Sequence, residues 1–366
     1  MTDAPKKIAV CFVILKAYPI FNPDVKKVFG GAELDLYLLA IELAKDPAFD
    51  VSFVLGDYGQ PAIEYRQGVR LIKSADPNKN LVFQAHKLWQ AMKKADADIY
   101  MSEAASLGTS VIAAFCKLHR KFVYRTANQG ECDGSFFANQ KLTEILFKWS
   151  LQHAKLVFTQ NQIDKQNLAK SFNINAHVTK NTHKIPENVN VSDDRDYILW
   201  VGRSTSLKRP ELFIKLASML PSERFVMICQ QATGDKQYSK LVQHAKELNN
   251  LKFIDRVDFN DVETYFAKAK ILASTSSSEG FPNVFVQACK FGVPILSLKV
   301  DPDDFMQHNS CGIACMDDWG KFIDAFKHLL QPEVLHRYAL ASLNYARENH
   351  DMDRIIEIYK ELFRKI

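Results

Sequence analysis

The 366-residue chain contains no run of 18 or more apolar residues, so no segment of it is long enough to cross a bilayer as a helix. Cysteine is scarce and odd in number: Cys11, Cys116, Cys132, Cys229, Cys289, Cys311 and Cys315, mostly flanked by apolar residues. That excludes a disulfide framework and suits a reducing cytoplasm. Cys311-x3-Cys315 lacks a second ligand pair nearby, whereas structural zinc wants four ligands, so no metal site is expected. The ten histidines form no His-x3-His or His-Glu-x2-His pair, which excludes a metal hydrolase of that type. Gly-x4-Gly-Lys-Ser/Thr and Gly-x-Ser-x-Gly are both missing, which removes the P-loop and the α/β-hydrolase elbow. No short-period repeat or low-complexity tract is present. With 47% hydrophobic and 24% charged residues, the composition excludes a disordered or fibrous chain.

What is present is enough chain for two domains. The net charge of +5 is unevenly spread: residues 1–190 hold 24 Lys and Arg against 18 Asp and Glu, and the remainder 23 against 24. An anionic partner for the first half is one reading, and a solvated lysine-rich face is the other. The apolar run Ile8–Leu15 follows Lys6-Lys7 but is interrupted by Lys16 and Pro19 and lacks a small-residue cleavage site, so a buried strand is expected.

Short β-rich apolar runs at Ile8–Leu15, Val51–Leu55, Ile99–Ser102, Phe122–Arg125 and Leu156–Thr159 alternate with helical patterns near Ala32–Lys45, Val82–Lys94, Ser106–His119, Lys141–His153 and Ile163–Ser171. The alternation restarts with strands at Tyr197–Val201, Phe225–Cys229, Leu251–Ile254, Ile271–Ser274 and Pro294–Leu298, and the chain closes with two helical runs, Glu333–Glu348 and Asp353–Lys365. Such alternation implies parallel sheets covered on both faces. The expected organisation is an N-terminal domain over 1–182, a polar linker over 183–195, a C-terminal domain over 196–348, and a terminal helix over 349–366 returning toward the first domain. The fold class is α/β, with two doubly wound Rossmann-like domains facing across a cleft. Ligands in such sheets bind beyond the carboxyl ends of the strands.

Two constellations carry chemistry. The strand at Tyr197–Val201 runs into Gly202-Arg203 and then Lys208-Arg209-Pro210, where a helix opens. Arginine offers a planar fork and lysine a point charge, both suited to phosphate oxygens, and a helix N-terminus attracts anions. The second is Ser276-Ser277-Ser278-Glu279-Gly280-Phe281-Pro282-Asn283, followed by Gln287-Ala288 and Gly292-Val293-Pro294. A carboxylate at Glu279 and an amide about two helical turns along at Gln287 suit the hydroxyls of a sugar or ribose.

In this order and at this spacing, these residues closely resemble the C-terminal domain of family-4 retaining glycosyltransferases of GT-B fold, the glycosyltransferase group 1 type, whose signature is Glu-x7-Glu. Gly30-Gly31-Ala32-Glu33 matches their glycine-rich loop, and Asn181 resembles their Asn at the interdomain crossing. The resemblance implies that Arg203 and Lys208 bind the diphosphate of a nucleotide-sugar donor and that Glu279 holds donor-sugar hydroxyls. It places backbone groups from Gly280, Phe281, Pro282 and Asn283 near sugar and phosphate, Gln287 on the ribose, and Gly202 and Gly31 where the backbone approaches the donor. The stretch Phe253–Val257, with Arg256 and Val257, looks like the loop where the base stacks. Glu279, Arg203 and Lys208 are the expected catalytic group. The resemblance further implies a metal-independent reaction with no cofactor, the nucleotide sugar being a co-substrate, and retention by front-face attack through an ion-pair-like state. The acceptor is expected to be a glycan or lipid-linked glycan, as in surface polysaccharide assembly.

Two departures matter. The second Glu of the signature is Gln287, which loses the charge-assisted hydrogen bond to ribose. Many relatives carry a His after the strand at Phe122–Arg125; here Asn128, Glu131 and Asp133 are the acceptor-side candidates. Asp96-x-Asp98 resembles a metal-binding Asp-x-Asp only superficially, because it leads into a strand and reads as a turn. A catalytically silent nucleotide-sugar-binding partner of another transferase is the alternative. Nucleic-acid binding is not expected, since no aromatic-plus-basic motif is present. The basic excess, with Lys6, Lys7, Lys16, Lys26, Lys27, Lys93 and Lys94 as its test residues, points to an anionic acceptor met at the inner membrane face by a cytoplasmic, peripheral protein.

Overall fold

The strands form because their apolar runs can be buried on both faces of a parallel sheet. The computed structural model describes residues 7–76, 79–117, 119–189, 191 and 195–366. These divide into two units, residues 1–182 with 352–366, and residues 183–351.

Among the described residues, the first unit holds β1 (Ile8–Val13), β2 (Phe49–Leu55), β3 (Ile63–Arg66), β4 (Val69–Lys73), β5 (Ile99–Glu103), β6 (Lys121–Arg125), β7 (Leu156–Thr159) and β8 (His177–Val178). Their order is β3-β4-β2-β1-β5-β6-β7-β8, parallel except for the β3–β4 pair. Val10, Cys11 and Phe12 of β1 are fully buried, as a central strand requires. The β3–β4 hairpin was not expected from the sequence. Its two-residue turn has Gln67 and Gly68 at positive φ, the twist that matches flanking strands. Helix Met352–Lys365 belongs to this unit: Tyr359 Oη lies 2.9 Å from Thr179 Oγ1, and Lys360 Nζ 3.1 Å from Asp46 Oδ2. Asp96 and Asp98 form a turn. Asp96 is left-handed at the end of helix Leu81–Ala95, and Asp98 Oδ2 accepts from the Ala9 amide at 3.0 Å.

The second unit holds β9 (Tyr197–Arg203), β10 (Phe225–Gln230), β11 (Leu251–Ile254), β12 (Ala269–Ser274), β13 (Ile295–Ser297) and β14 (Gly312–Ala314), in the order β11-β10-β9-β12-β13-β14. All are paired in parallel. Phe213, Phe225, Phe266 and Phe285 are buried on the two faces of this sheet. At Gly312 a Cβ would fall 2.5 Å from the Ile295 carbonyl, so β13 and β14 need glycine there. From β9 the chain winds outward to β10 and β11, then returns to β12 on the other side of β9. The order reverses between β9 and β12, and the loops after these two strands therefore stand at the switch point where such sheets bind ligands.

Residues 190 and 192–194 of the expected linker lie outside the described residues. Its ends are built into the second unit. The His183 amide donates to the His350 carbonyl at 3.0 Å, and buried Arg195 donates to the Gly292 and Phe291 carbonyls at 2.5 and 2.6 Å. These are polar anchors, which a segment without apolar periodicity does not advertise.

Candidate active site

The loop after β9 is shaped by its own backbone needs. A Cβ at Gly202 would meet the Trp200 ring at 2.9 Å, so glycine lets the strand end pass over the indole. Arg203 follows, exposed, and makes no side-chain ion pair or hydrogen bond among the described residues. The loop turns back so that Thr275, just after β12, donates its hydroxyl to the Lys208 carbonyl at 2.7 Å while accepting from Trp200 Nε1 at 3.0 Å. The Ser277 amide donates to the Leu207 carbonyl at 2.8 Å. Arg209 adopts a left-handed conformation, φ 49°, and its Nε donates to the Thr275 carbonyl at 2.6 Å. Arg209 Nη1 also pairs with Asp317 at 2.6 Å. Arg209 is therefore a staple between the two switch-point loops, a role the sequence did not reveal. Pro210 then opens helix Pro210–Met219 at its first turn.

These bonds bring Lys208 and Glu279 together. Lys208 Nζ stands 2.5 Å from Glu279 Oε1, with both side chains about one-fifth exposed. The contact is a charge pair off the hydrogen-bonding direction. Beside it, Trp200, Val201, Lys208, Ser274, Ser276 and Val284 line a small recess.

Gly280, Phe281 and Pro282 are buried, and the Phe281 ring packs 5.0 Å from both Phe305 and His350. Helix Asn283–Lys290 starts after Pro282, so Glu279 stands in the loop and only part of the interval to Gln287 is helical. Gln287 is buried on that helix. Asn283 Oδ1 lies 2.9 Å from Nε2 of His183. Burial, reinforced by the Lys290 charge, pushes the His183 imidazole down to about 3, so the ring is neutral at physiological pH. His183 is thus a buried neighbour of Asn283 that no motif marked. Arg256 and Val257 follow β11, two strands from β9 and roughly 10 Å along the sheet. Arg256 Nε is 3.5 Å from Asp258 Oδ1, and Val257 packs on the core.

In the first unit, Gly31 is exposed at the head of helix Gly31–Leu43, where Glu33 Oε2 accepts from the Gly30 amide at 2.7 Å. The three acceptor-side candidates do not act as one group. Asn128 caps helix Gln129–Asp133, accepting from the Glu131 amide at 3.2 Å, and Asp133 is exposed, closing a turn with the Ser135 amide at 2.9 Å. Glu131 must be corrected: it is 1% exposed and faces inward. It accepts from the Tyr124 hydroxyl, the Ala105 and Ala127 amides and Asn128 Nδ2, at 2.8, 3.1, 3.2 and 2.9 Å. It braces the loop and is not placed to touch an acceptor. Burial pushes its carboxyl up to about 7.

At the carboxyl ends of β5 and β6 lies a buried network that sequence reasoning missed. Arg125 Nη1 donates to Asp35 and Glu103 at 2.9 and 2.7 Å, and Nη2 donates to Asn181 Oδ1 at 2.5 Å. Burial drives the Glu103 carboxyl well above the usual range, against the pull of Arg125. The partners are 22 to 90 residues apart in sequence, so no local pattern announces them.

Residues 181–344 match the family model of glycosyl transferases group 1. That segment, a little under half of the chain, is similar to the family. The chain is 22% identical over 207 residues to the O-antigen chain mannosyltransferase RfbU of Salmonella typhimurium, a match covering 55% of this chain and 59% of that one. The chain therefore spans less than two thirds of that relative. It is 24% identical over 345 residues to an uncharacterized glycosyltransferase of Haemophilus influenzae, covering 90% and 95% of the two chains. Among solved structures, sucrose-phosphate synthase from Thermosynechococcus elongatus superposes with a TM-score of 0.82 at 15% identity, over 98% of this chain and 99% of that one. Anabaena HepE in complex with UDP-glucose superposes at 0.74 and 16% identity, over 98% and 100%. The two-sheet architecture is accordingly GT-B. The family match covers Arg203, Lys208, Glu279 and Gln287, and leaves Gly31, Asn128, Glu131 and Asp133 outside it.

Proposed function

We propose that the chain is a retaining glycosyltransferase that moves a sugar from a nucleotide-diphosphate sugar to a glycan or lipid-linked glycan acceptor. The observation that carries the reading is the Lys208–Glu279 pair at the switch point of the second sheet. A lone carboxylate beside a cation can hold sugar hydroxyls while the cation turns to phosphate. When the bond between the anomeric carbon and the phosphate oxygen breaks, its electron pair goes to the leaving diphosphate. Lys208 and Arg203 meet that growing charge, which makes them more useful in the transition state than in the ground state. The acceptor oxygen attacks from the face the diphosphate leaves, and its proton passes to the departing phosphate oxygen, so configuration is retained. In this reading the two cations fill the place of a metal, and no cofactor is required. Gly31 and Gly202 allow backbone near the donor, Arg256 and Val257 lie toward the base, and Gln287 contacts the ribose. UDP-sugar binding by HepE, named in that protein's structure, supports the donor class. The basic first half points to an anionic or lipid-linked acceptor at the inner membrane face.

Neutral Gln287 in place of the second Glu favours one rival, a silent nucleotide-sugar-binding partner. Donor turnover separates the two. Lys208→Ala and Glu279→Ala should each lower turnover by about 100- to 1,000-fold, the usual loss of one charge-stabilising group. Wild-type rates in both variants would remove these residues from the chemistry. A chain that binds nucleotide yet turns over no donor–acceptor pair would be the silent partner.

A further inference from the structure

Among the described residues, Gln67, Asp96, Asn173 and Ser310 have positive φ for ordinary reasons, since they close a hairpin or a helix end. The other non-glycine residues at positive φ are Ala104, Arg209, Asp303, Asp304, Met316 and Asp317, and all stand in loops that follow strands. Backbone of this kind is costly, persists only where its surroundings hold it, and gathers at ligand sites. In the second unit it converges on one side chain. Met316 and Asp317, at φ 52° and 65°, follow β14. The Cys315 amide donates to the Ser297 carbonyl at 2.9 Å and the Asp317 amide to the Leu298 carbonyl at 2.6 Å, which ties this loop to the end of β13. There Asp317 Oδ1 meets Arg209 Nη1 at 2.6 Å. The rest of the guanidinium is taken by the loop after β12: Nε donates to the Thr275 carbonyl at 2.6 Å and Nη2 to the Ser276 carbonyl at 3.3 Å. A planar fork thus joins the loops after β9, β12 and β14, a task that a point charge cannot perform.

Lys208 precedes Arg209 directly, and its backbone is fixed by the same loops. Its amide donates to the Thr205 carbonyl at 3.0 Å, and its carbonyl accepts from the Thr275 hydroxyl at 2.7 Å. Glu279 stands three residues beyond Ser276 on the loop that Arg209 grips, so the same grip sets the 2.5 Å approach of Lys208 to Glu279. A lysine side chain on a loose loop loses much freedom when its ammonium meets a phosphate; a loop held beforehand reduces that loss. The grip also sorts the cations. Arg209 spends its N–H groups on two carbonyls and its charge on Asp317, while Lys208 and Arg203 remain for an anion. Given the donor role proposed for Lys208, we infer that Asp317 is a positioning residue for nucleotide-sugar binding, acting through Arg209 to set where Lys208 presents its ammonium. The Asp317 side chain is 38% exposed, and an ion pair so open to water adds little to stability, so placing the loops is the larger effect of this one.

The test is a double-mutant cycle on the full chain, read by titration calorimetry with UDP, GDP and ADP. Asp317→Asn keeps the size and removes the charge, and should weaken the nucleotide that binds by about fivefold, the scale of one half-exposed ion pair. In a Lys208→Met background the same change should scarcely alter affinity, because both substitutions then act on one interaction. Asp317→Glu should restore most of the affinity. Arg209→Lys should not, since an ammonium cannot reach two carbonyls and a carboxylate as a fork does. Arg209→Gly suits the positive φ and so spares the fold while removing the grip, and should lose at least as much affinity as Asp317→Asn. Thermal midpoints of the Asp317 variants should stay within about 2 °C of wild type. Equal losses from Asp317→Asn with and without Lys208 would mean general loosening of the unit and would overturn the assignment. Wild-type affinity in Asp317→Asn would overturn it too, while a loss in Lys208→Met alone would leave the donor reading standing. Wild-type affinity in Lys208→Met, or no binding of any of the three nucleotides to the unmutated chain, would bring down the donor reading and this assignment together.

Discussion

Replacing Glu131 by glutamine separates a structural carboxylate from an acceptor-binding one. Its Oε1 accepts from Ala105 N and Asn128 Nδ2, and its Oε2 from Tyr124 Oη and Ala127 N. An amide nitrogen in either place faces two donors. Opposite Tyr124 the hydroxyl can rotate to accept, which still leaves the Ala127 amide facing an N–H, at a cost of about 1–3 kcal/mol. The pH dependence is the sharper signature. The folded carboxyl titrates near 7 and the unfolded one near 4.5, so the native state binds the extra proton between those values. Stability from the neutral carboxyl is then present below pH 4.5 and is lost as pH rises to 7. At 1.36 kcal/mol per unit the loss is about 3 kcal/mol. Glu131→Gln cannot titrate, so the wild-type advantage over it should be largest near pH 4.5 and shrink by that amount by pH 7.5. The assay is urea unfolding by circular dichroism at a series of pH values, with the first-unit transition identified by pulsed hydrogen exchange of peptides from 99–133. A gap that stays constant, or widens with pH because the four donors hold the anion, would refute the reasoning.

Other consequences are as direct. His183, neutral down to about pH 3 because it is buried, should make the second unit lose stability as pH falls from 6.5 toward 3. His183→Gln should flatten that slope relative to wild type, as urea midpoints would show; an identical slope would remove His183 as its source. Gln287→Glu should tighten nucleotide binding about fivefold by restoring a charge-assisted hydrogen bond to ribose. Titration calorimetry checks this, and unchanged or weaker affinity would take position 287 off the ribose.

Much of the architecture was legible because strands buried on both faces appear as unbroken apolar runs, and these end near Val13, Leu55, Arg125 and Thr159 as the structure has them. The hairpin at β3 and β4 escaped notice because its half-exposed residues alternate at a sheet edge, although Gln67-Gly68 was a usable turn signal. At the site, Lys208 and Glu279 could be paired from their positions after two neighbouring strands. The staple by Arg209 could not, because its partners at Thr275 and Asp317 are set by a loop conformation with positive φ. Glu131 failed as an acceptor contact for a related reason: a short helix capped by Asn128 turns it inward, and a polar string of residues does not show which way its acid points. The Arg125 network shows the limit most clearly, since four chain segments meet there and only Asn181 was singled out, as a crossing residue and not as a partner of Arg125.

The central claim is that the loops after β9 and β12 hold a nucleotide-diphosphate sugar through Lys208. A thermal-shift panel of UDP, GDP and ADP with their common sugars tests it directly. A nucleotide at 100 times its Kd adds about 2.7 kcal/mol, a rise of roughly 5–10 °C for a unit of this size. At least one nucleotide should produce that rise in the wild-type chain and little or none in Lys208→Met. A panel without any rise, or one in which Lys208→Met responds as the wild type does, would contradict the account.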